Sequence, residues 1–139
     1  MVVVVIFTYK PILMKTDFVE IFQTIRAAMQ PYEAMGFNDR VNSDTAYELW
    51  SEKEVVIDGK KRLGWFFASV VIMKNYVGFY FMPIYLEPEM KTAFDPKLLK
   101  HLKGKSCFHI KKLDFELLSM IESAMGEGFK LYKEKGWVD

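Results

Sequence analysis

The chain has 139 residues, 51% of them hydrophobic, and its 19 basic and 18 acidic side chains leave a net charge of +1. That length suits one domain over residues 1–139 and can bury roughly 70% of the unfolded surface, while the charge balance removes any long-range pull toward nucleic acid or an anionic membrane. The single cysteine, Cys107, leaves no internal disulfide and fits a cytoplasmic location.

The opening run Met1 to Phe7 is β-branched and apolar, with no basic flank and no small-residue cleavage site. It is far short of the ~20 residues that cross a bilayer, and it reads as a strand. Asp17 with Glu20 three residues later has the form of a capping box. Behind it Phe18, Phe22, Ile25, Met29 and Tyr32 make one stripe of an amphipathic helix, which Pro31 kinks or ends and Gly36 caps.

From about Ser43 the period changes. Ala46 to Trp50 alternates, Asp58-Gly59 is a two-residue hairpin signal, and Arg62 to Met73 climbs into an apolar strand. Lys74-Asn75 turns that strand back as Tyr76 to Met82, and Glu87 and Glu89 flank Pro88 in a loop. Asp95-Pro96 opens a short helix that Gly104 is expected to close. Ser106 to Lys112 alternates again, and Asp114 caps a last helix with the stripe Leu118, Ile121, Met125, Phe129 and Tyr132. Gly126 and Gly128 each cost ~1 kcal/mol there relative to Ala, so close packing is the expected reason for both. The fold class is α+β, a twisted antiparallel sheet with N- and C-terminal helices packed on one face.

The turns sort side chains onto faces. A two-residue turn at Lys74-Asn75 sets Ile72 opposite Val77, Val70 opposite Phe79 and Ala68 opposite Phe81, an all-apolar face that should meet the helices. The other face is mixed: Val71 opposite Gly78, Ser69 opposite Tyr80, Phe67 opposite Met82. Carrying an unbulged register through Asp58-Gly59 places Leu49 opposite Ala68, Glu48 opposite Ser69 and Trp50 opposite Phe67. The mixed face then holds a row of Glu48, Ser69 and Tyr80 edged by Trp50 and Trp65, with Cys107, His109 and Lys111 further along. A one-residue slip would reverse each assignment.

Two functional readings fit that face. Aromatics around Ser69 and Gly78 can wall a small-molecule cleft, with Glu48, Tyr80 and His109 as its polar groups. The commoner explanation is that this face is a homodimer interface or is covered by the N-terminal strand and loops, because Tyr and Trp bury large area and keep a polar handle. Cys107 and His109, two apart on one strand with His101 upstream and Glu48 in reach, are weak candidates for zinc or iron; one Cys and two His match no standard spacing. An enzyme using His109 with Glu48 or Cys107 is the least favoured class, since neighbours two apart on a strand are not automatically hydrogen-bonded. Lysines at 97, 100, 103, 105, 111 and 112 form a local basic run that a phosphate-bearing ligand can use, although a solvated face is the commoner explanation.

Residues from about Trp65 to Val138 resemble the YdhG-like domain family, a domain of unknown function. The likeness lies in the apolar strand ending at Lys74, in Tyr76-Val77-Gly78-Phe79-Tyr80-Phe81-Met82-Pro83, in the lysine- and leucine-rich short helix, in Gly104 to Leu113, and in the closing helix. Where the family pattern usually has His, this chain has Tyr76. The resemblance implies an α+β fold, and some relatives are described as frataxin-like iron chaperones that bind iron through surface carboxylates. Iron as a cofactor is thus implied only by the resemblance, and the acidic residues here are scattered among lysines. The favoured function is a non-enzymatic domain binding a small molecule or a second copy of itself; an iron-binding chaperone is the alternative.

Overall fold

The computed structural model describes residues 14–139, so the expected strand at Met1 to Phe7 lies outside the described residues. Helix α1 spans Phe18–Met29, and the Asp17 carboxylate accepts from the Glu20 amide at 3.0 Å. A cap of that kind contributes about 1 kcal/mol. Pro31 does end the α-helix: residues Gln30–Met35 tighten into a 3₁₀ turn, closed by Gly36 at φ 107°. The chain continues through β1 (Phe37–Asn42), β2 (Ala46–Ser51), β3 (Glu54–Ile57), β4 (Lys60–Leu63), β5 (Phe66–Ile72) and β6 (Val77–Phe81). Then come α2 (Met82–Leu86), a 3₁₀ turn at Pro88–Ala93, α3 (Pro96–Leu99), β7 (Leu102–Lys103), β8 (Cys107–Ile110) and α4 (Phe115–Glu134).

Six strands form one antiparallel sheet in the order β1-β2-β5-β6-β8-β7, while β3 and β4 make a separate two-stranded arm. The α+β class is therefore as expected. Strand β1 carries one buried apolar residue, Phe37, among polar neighbours, so it has no alternation by which the sequence would mark it. Gly104 does not close α3, which ends at Leu99; it turns β7 into β8. Met82 does not extend β6 opposite Phe67 but begins α2, whose first turn holds Pro83.

The core lies between one sheet face and the helices. Tyr47, Leu49, Phe67, Val70, Phe79, Phe81, Phe108 and Ile110 are fully buried there with Ile21, Phe22 and Ile25 of α1 and Ile121 and Met125 of α4. The expected register of the central hairpin holds from Ala68↔Phe81 to Ile72↔Val77. Two bulges govern the next hairpin. Between the pairs Lys53–Gly64 and Ser51–Trp65 the β2 side carries an extra residue, Glu52. Between Trp50↔Phe66 and Leu49↔Ala68 the β5 side carries one, Phe67. The two insertions cancel, which is why Glu48↔Ser69 and Leu49↔Ala68 fall where an unbulged ladder puts them.

Between the bulges the faces are exchanged. Phe67, expected on the mixed face, turns into the core and stacks on Phe37 at 4.3 Å between ring centroids. Phe66 takes its place outside, opposite Trp50 rather than Phe67 standing there. Trp65 goes to the core side and lies 6.5 Å from Trp137, so it does not edge the mixed face. A bulge inserts one unpaired residue and reverses side-chain parity beyond it, and that is the physical reason for all three corrections.

Two buried hydroxyls tie this core to alkaline stability. Tyr132 donates to the Phe66 carbonyl, and Tyr47 donates to the Glu33 carboxylate. Burial raises the pKa of both, Tyr47 further through the Glu33 bond, and Tyr80 is pushed up to about 12, chiefly by burial. A tyrosine raised on folding ionises first in the unfolded chain. Its contribution is thus intact below about pH 10, the ordinary phenol value, and is lost as pH rises through the folded value. Urea midpoints followed by circular dichroism should fall slightly from about pH 8.5, where the half-buried Cys107 thiol contributes, and then steadily from about pH 10 toward about pH 12. Tyr132→Phe should flatten part of that fall; an unchanged slope would contradict the assignment.

Candidate functional site

The face turned away from the helices carries a row that crosses the sheet. Val41 lies opposite Glu48, Glu48 opposite Ser69, Ser69 opposite Tyr80, Tyr80 opposite Cys107 and Cys107 opposite Lys103. Within it is an open concavity of about 520 Å³, walled by Trp50, Phe66, Val71 and Tyr80 with Glu48 and Ser106 on its rim. Ser69 forms the floor. It is only 4% exposed although it points away from the core, because the taller Glu48, Val71 and Tyr80 flank it on that face.

Glu48 is oriented by the Trp50 indole, whose N–H donates to its carboxylate at 2.8 Å. Trp50 is held in turn by Phe66, edge-on at 5.6 Å, and by the Arg40 guanidinium 4.4 Å from its ring centroid. Arg40 sits at the irregular step of β1, between Asp39 and Val41, and also bonds Glu52 at 3.1 Å and the Leu63 carbonyl at 2.9 Å. A cation–π contact of this kind contributes about 0.5–1 kcal/mol when exposed. Tyr80 lies along its own strand over Gly78. A Cβ at Gly78 would stand 2.9 Å from the Tyr80 ring, so the glycine is what lets the phenol lie flat. Its hydroxyl is pushed up to a pKa of about 12, chiefly by burial, with Cys107 and Tyr76 beside it adding to the shift.

Of the residues expected to form a site, Glu48, Trp50, Ser69 and Tyr80 come together, and Trp65 does not. His109 shares the face but not the concavity. It lies opposite Gly78, stacked on Tyr76 at 3.7 Å with 8° between the ring planes, and lines a separate hollow with His101 and four lysines. Burial, then Lys103 and Lys111, lower the pKa of His109. Cys107 is half-buried, and burial raises its thiol pKa against a smaller opposing effect of Tyr80. A thiol held protonated is a poor nucleophile and a poor metal ligand. Among the described residues no three His, Cys, Asp or Glu side chains gather where they could hold a metal ion.

The sequence reading missed Phe66, Val71, Ser106 and Arg40 as parts of the site. Val71 was already on the mixed face, and Ser106 precedes Cys107 by one residue; neither had a signal of its own. Phe66 and Arg40 depend on bulges, which leave no mark in the composition of these strands. No helix among the described residues is long and apolar enough to cross a membrane. No family model, curated protein or solved structure matches the chain.

Proposed function

We propose that this protein is a non-enzymatic, cytoplasmic binding domain whose open sheet face takes a planar small molecule over Ser69. The observation that carries this reading is a short side chain sunk to 4% exposure and ringed by Trp50, Phe66, Val71 and Tyr80. Its volume falls within the roughly 300–1,000 Å³ usual for ligand sites. A flat ring laid on Ser69 would meet aromatic walls at Trp50, Phe66 and Tyr80 and present a donor to the free lone pairs of Glu48. The lining supports binding rather than turnover. Its polar groups are two serine hydroxyls, a phenol kept protonated and a carboxylate already engaged by Trp50, with no base paired to a nucleophile. The likeness to the YdhG-like pattern assigns no chemistry of its own, so the reading rests on the site.

Saturation-transfer NMR against a panel of planar heterocycles tests it. At least one binder of millimolar or better affinity is expected, weakened tenfold or more by Ser69→Leu, which fills the floor, and unchanged by Phe115→Ala on the exposed start of α4. Tenfold corresponds to about 1.4 kcal/mol. A concentration-dependent dimer of the wild type that Ser69→Leu abolishes would instead make this face a contact between copies.

A further inference from the structure

The second hollow on this face, about 340 Å³, is lined by Lys100, His101, Lys103, His109, Lys111 and Lys112 and, among the described residues, by no carboxylate. Its geometry follows from the β7–β8 pairing. Leu102↔Phe108 and Lys103↔Cys107 are direct partners, and the His109 amide donates to the His101 carbonyl at 2.9 Å. His101 and His109 are therefore cross-strand neighbours on one face, with Lys103 beside them. His109 is further fixed by its stack on Tyr76.

We propose that this hollow is a binding site for a phosphoryl group, free or carried as a small phosphate ester. Two imidazoles side by side would ordinarily suggest a metal, but the four lysines that line the same hollow repel a cation and leave an anion as the occupant. The donors also match the shape of the ligand: four mobile ammonium groups and two ring N–H groups, enough to surround a tetrahedral dianion. The site is local. The whole chain, these four lysines included, nets only +1, so the attraction comes from this cluster and not from an overall basic surface. It is separate from the concavity over Ser69 and does not depend on it.

The histidines report on occupancy. The groups facing His109 are Lys103 of β7, Lys111 of its own strand and Tyr76 of β6; those around His101 are Lys100, Lys103 and Lys112, Lys97 of α3 and, from the start of α4, Asp114 and Glu116, the last paired with Lys97 at 3.1 Å. Burial lowers both imidazole pKa values, and the lysines lower them further. A bound dianion opposes the lysines and must raise both.

The test is NMR of the imidazole resonances in the full chain, titrated at constant ionic strength with inorganic phosphate, methyl phosphate and pyrophosphate in separate arms against chloride. Saturable shifts at both histidines are expected, with titration midpoints moved upward. Lys103→Gln combined with Lys111→Gln should weaken binding at least tenfold, while Lys53→Gln, whose ammonium pairs with Asp139 at 2.8 Å, should leave it unchanged. Saturation by methyl phosphate assigns an ester; saturation by phosphate alone assigns the free ion. Linear drift equal to that in chloride, indifference to the double substitution, or saturation by pyrophosphate alone would each overturn the proposal.

Discussion

Phe67→Ala is expected to be the most damaging single truncation in the sheet, and Phe66→Ala, one residue away, among the milder. Phe67 is fully buried and lies at the centre of an aromatic cluster: Phe37 at 4.3 Å, Tyr132 at 5.0 Å, Phe81 at 5.8 Å and Tyr32 at 5.9 Å between ring centroids. Removing such a ring loses its transfer energy and leaves a cavity that close-packed neighbours cannot fill, about 3–5 kcal/mol. In a chain of this size that lowers the melting temperature by on the order of 10 °C. Phe66 is half-exposed on the other face and touches Trp50 rather than the core. Its loss should cost about 1 kcal/mol and weaken binding at the concavity. Calorimetry of the two variants decides the matter. Equal destabilisation, or a larger loss at Phe66, would show that the bulge at Phe67 is misplaced and with it the walls of the site.

Two glycines of α4 should respond to alanine with opposite signs. At Gly126 nothing among the described residues stands within 4 Å of the position a Cβ would take. Gly126→Ala therefore gains the helix propensity that glycine forgoes, about 0.5–1 kcal/mol of added stability. At Gly128 the same carbon would stand 2.5 Å from Phe81 Cζ and 2.7 Å from Pro83 Cγ. Neither neighbour can swing aside: Phe81 is fully buried and Pro83 is locked into the first turn of α2. Overpacking of this kind costs about 1–3 kcal/mol and exceeds the propensity gain, so Gly128→Ala should destabilise and Gly128→Val more so. Urea midpoints of the three variants measure it. A stabilised Gly128→Ala would mean that α4 does not press on the α2 turn as closely as described.

The difference between those glycines was not legible in the sequence, where both sit in one helical pattern and share one rationale. Whether a missing side chain leaves room or fills it depends on what another element places opposite, here Phe81 and Pro83. The caps were legible, since Asp17, Asp95 and Asp114 each bond an amide two or three residues on and need no distant partner. The hairpin turns and the core faces of β2, β6 and β8 were legible for the same reason: the pleat alternates side chains with a period of two. The candidate site was half legible. Glu48, Ser69 and Tyr80 belong to that alternation, and Trp50 follows Glu48 by two residues on the same strand.

Local chemistry thus determined where elements start, which way the central strands face, and that the sheet has an apolar and a mixed side. Tertiary structure decided the rest. Extra residues at Glu52 and Phe67 let the sheet accept Phe67 beneath the helices and carry Trp65 against Trp137, and they bring Phe66 out beside Trp50. A bulge is stabilised by what the displaced side chains pack against, often far along the chain, so no run of neighbouring residues encodes it. The pairing of His101 with His109 likewise exists only once β7 folds back on β8.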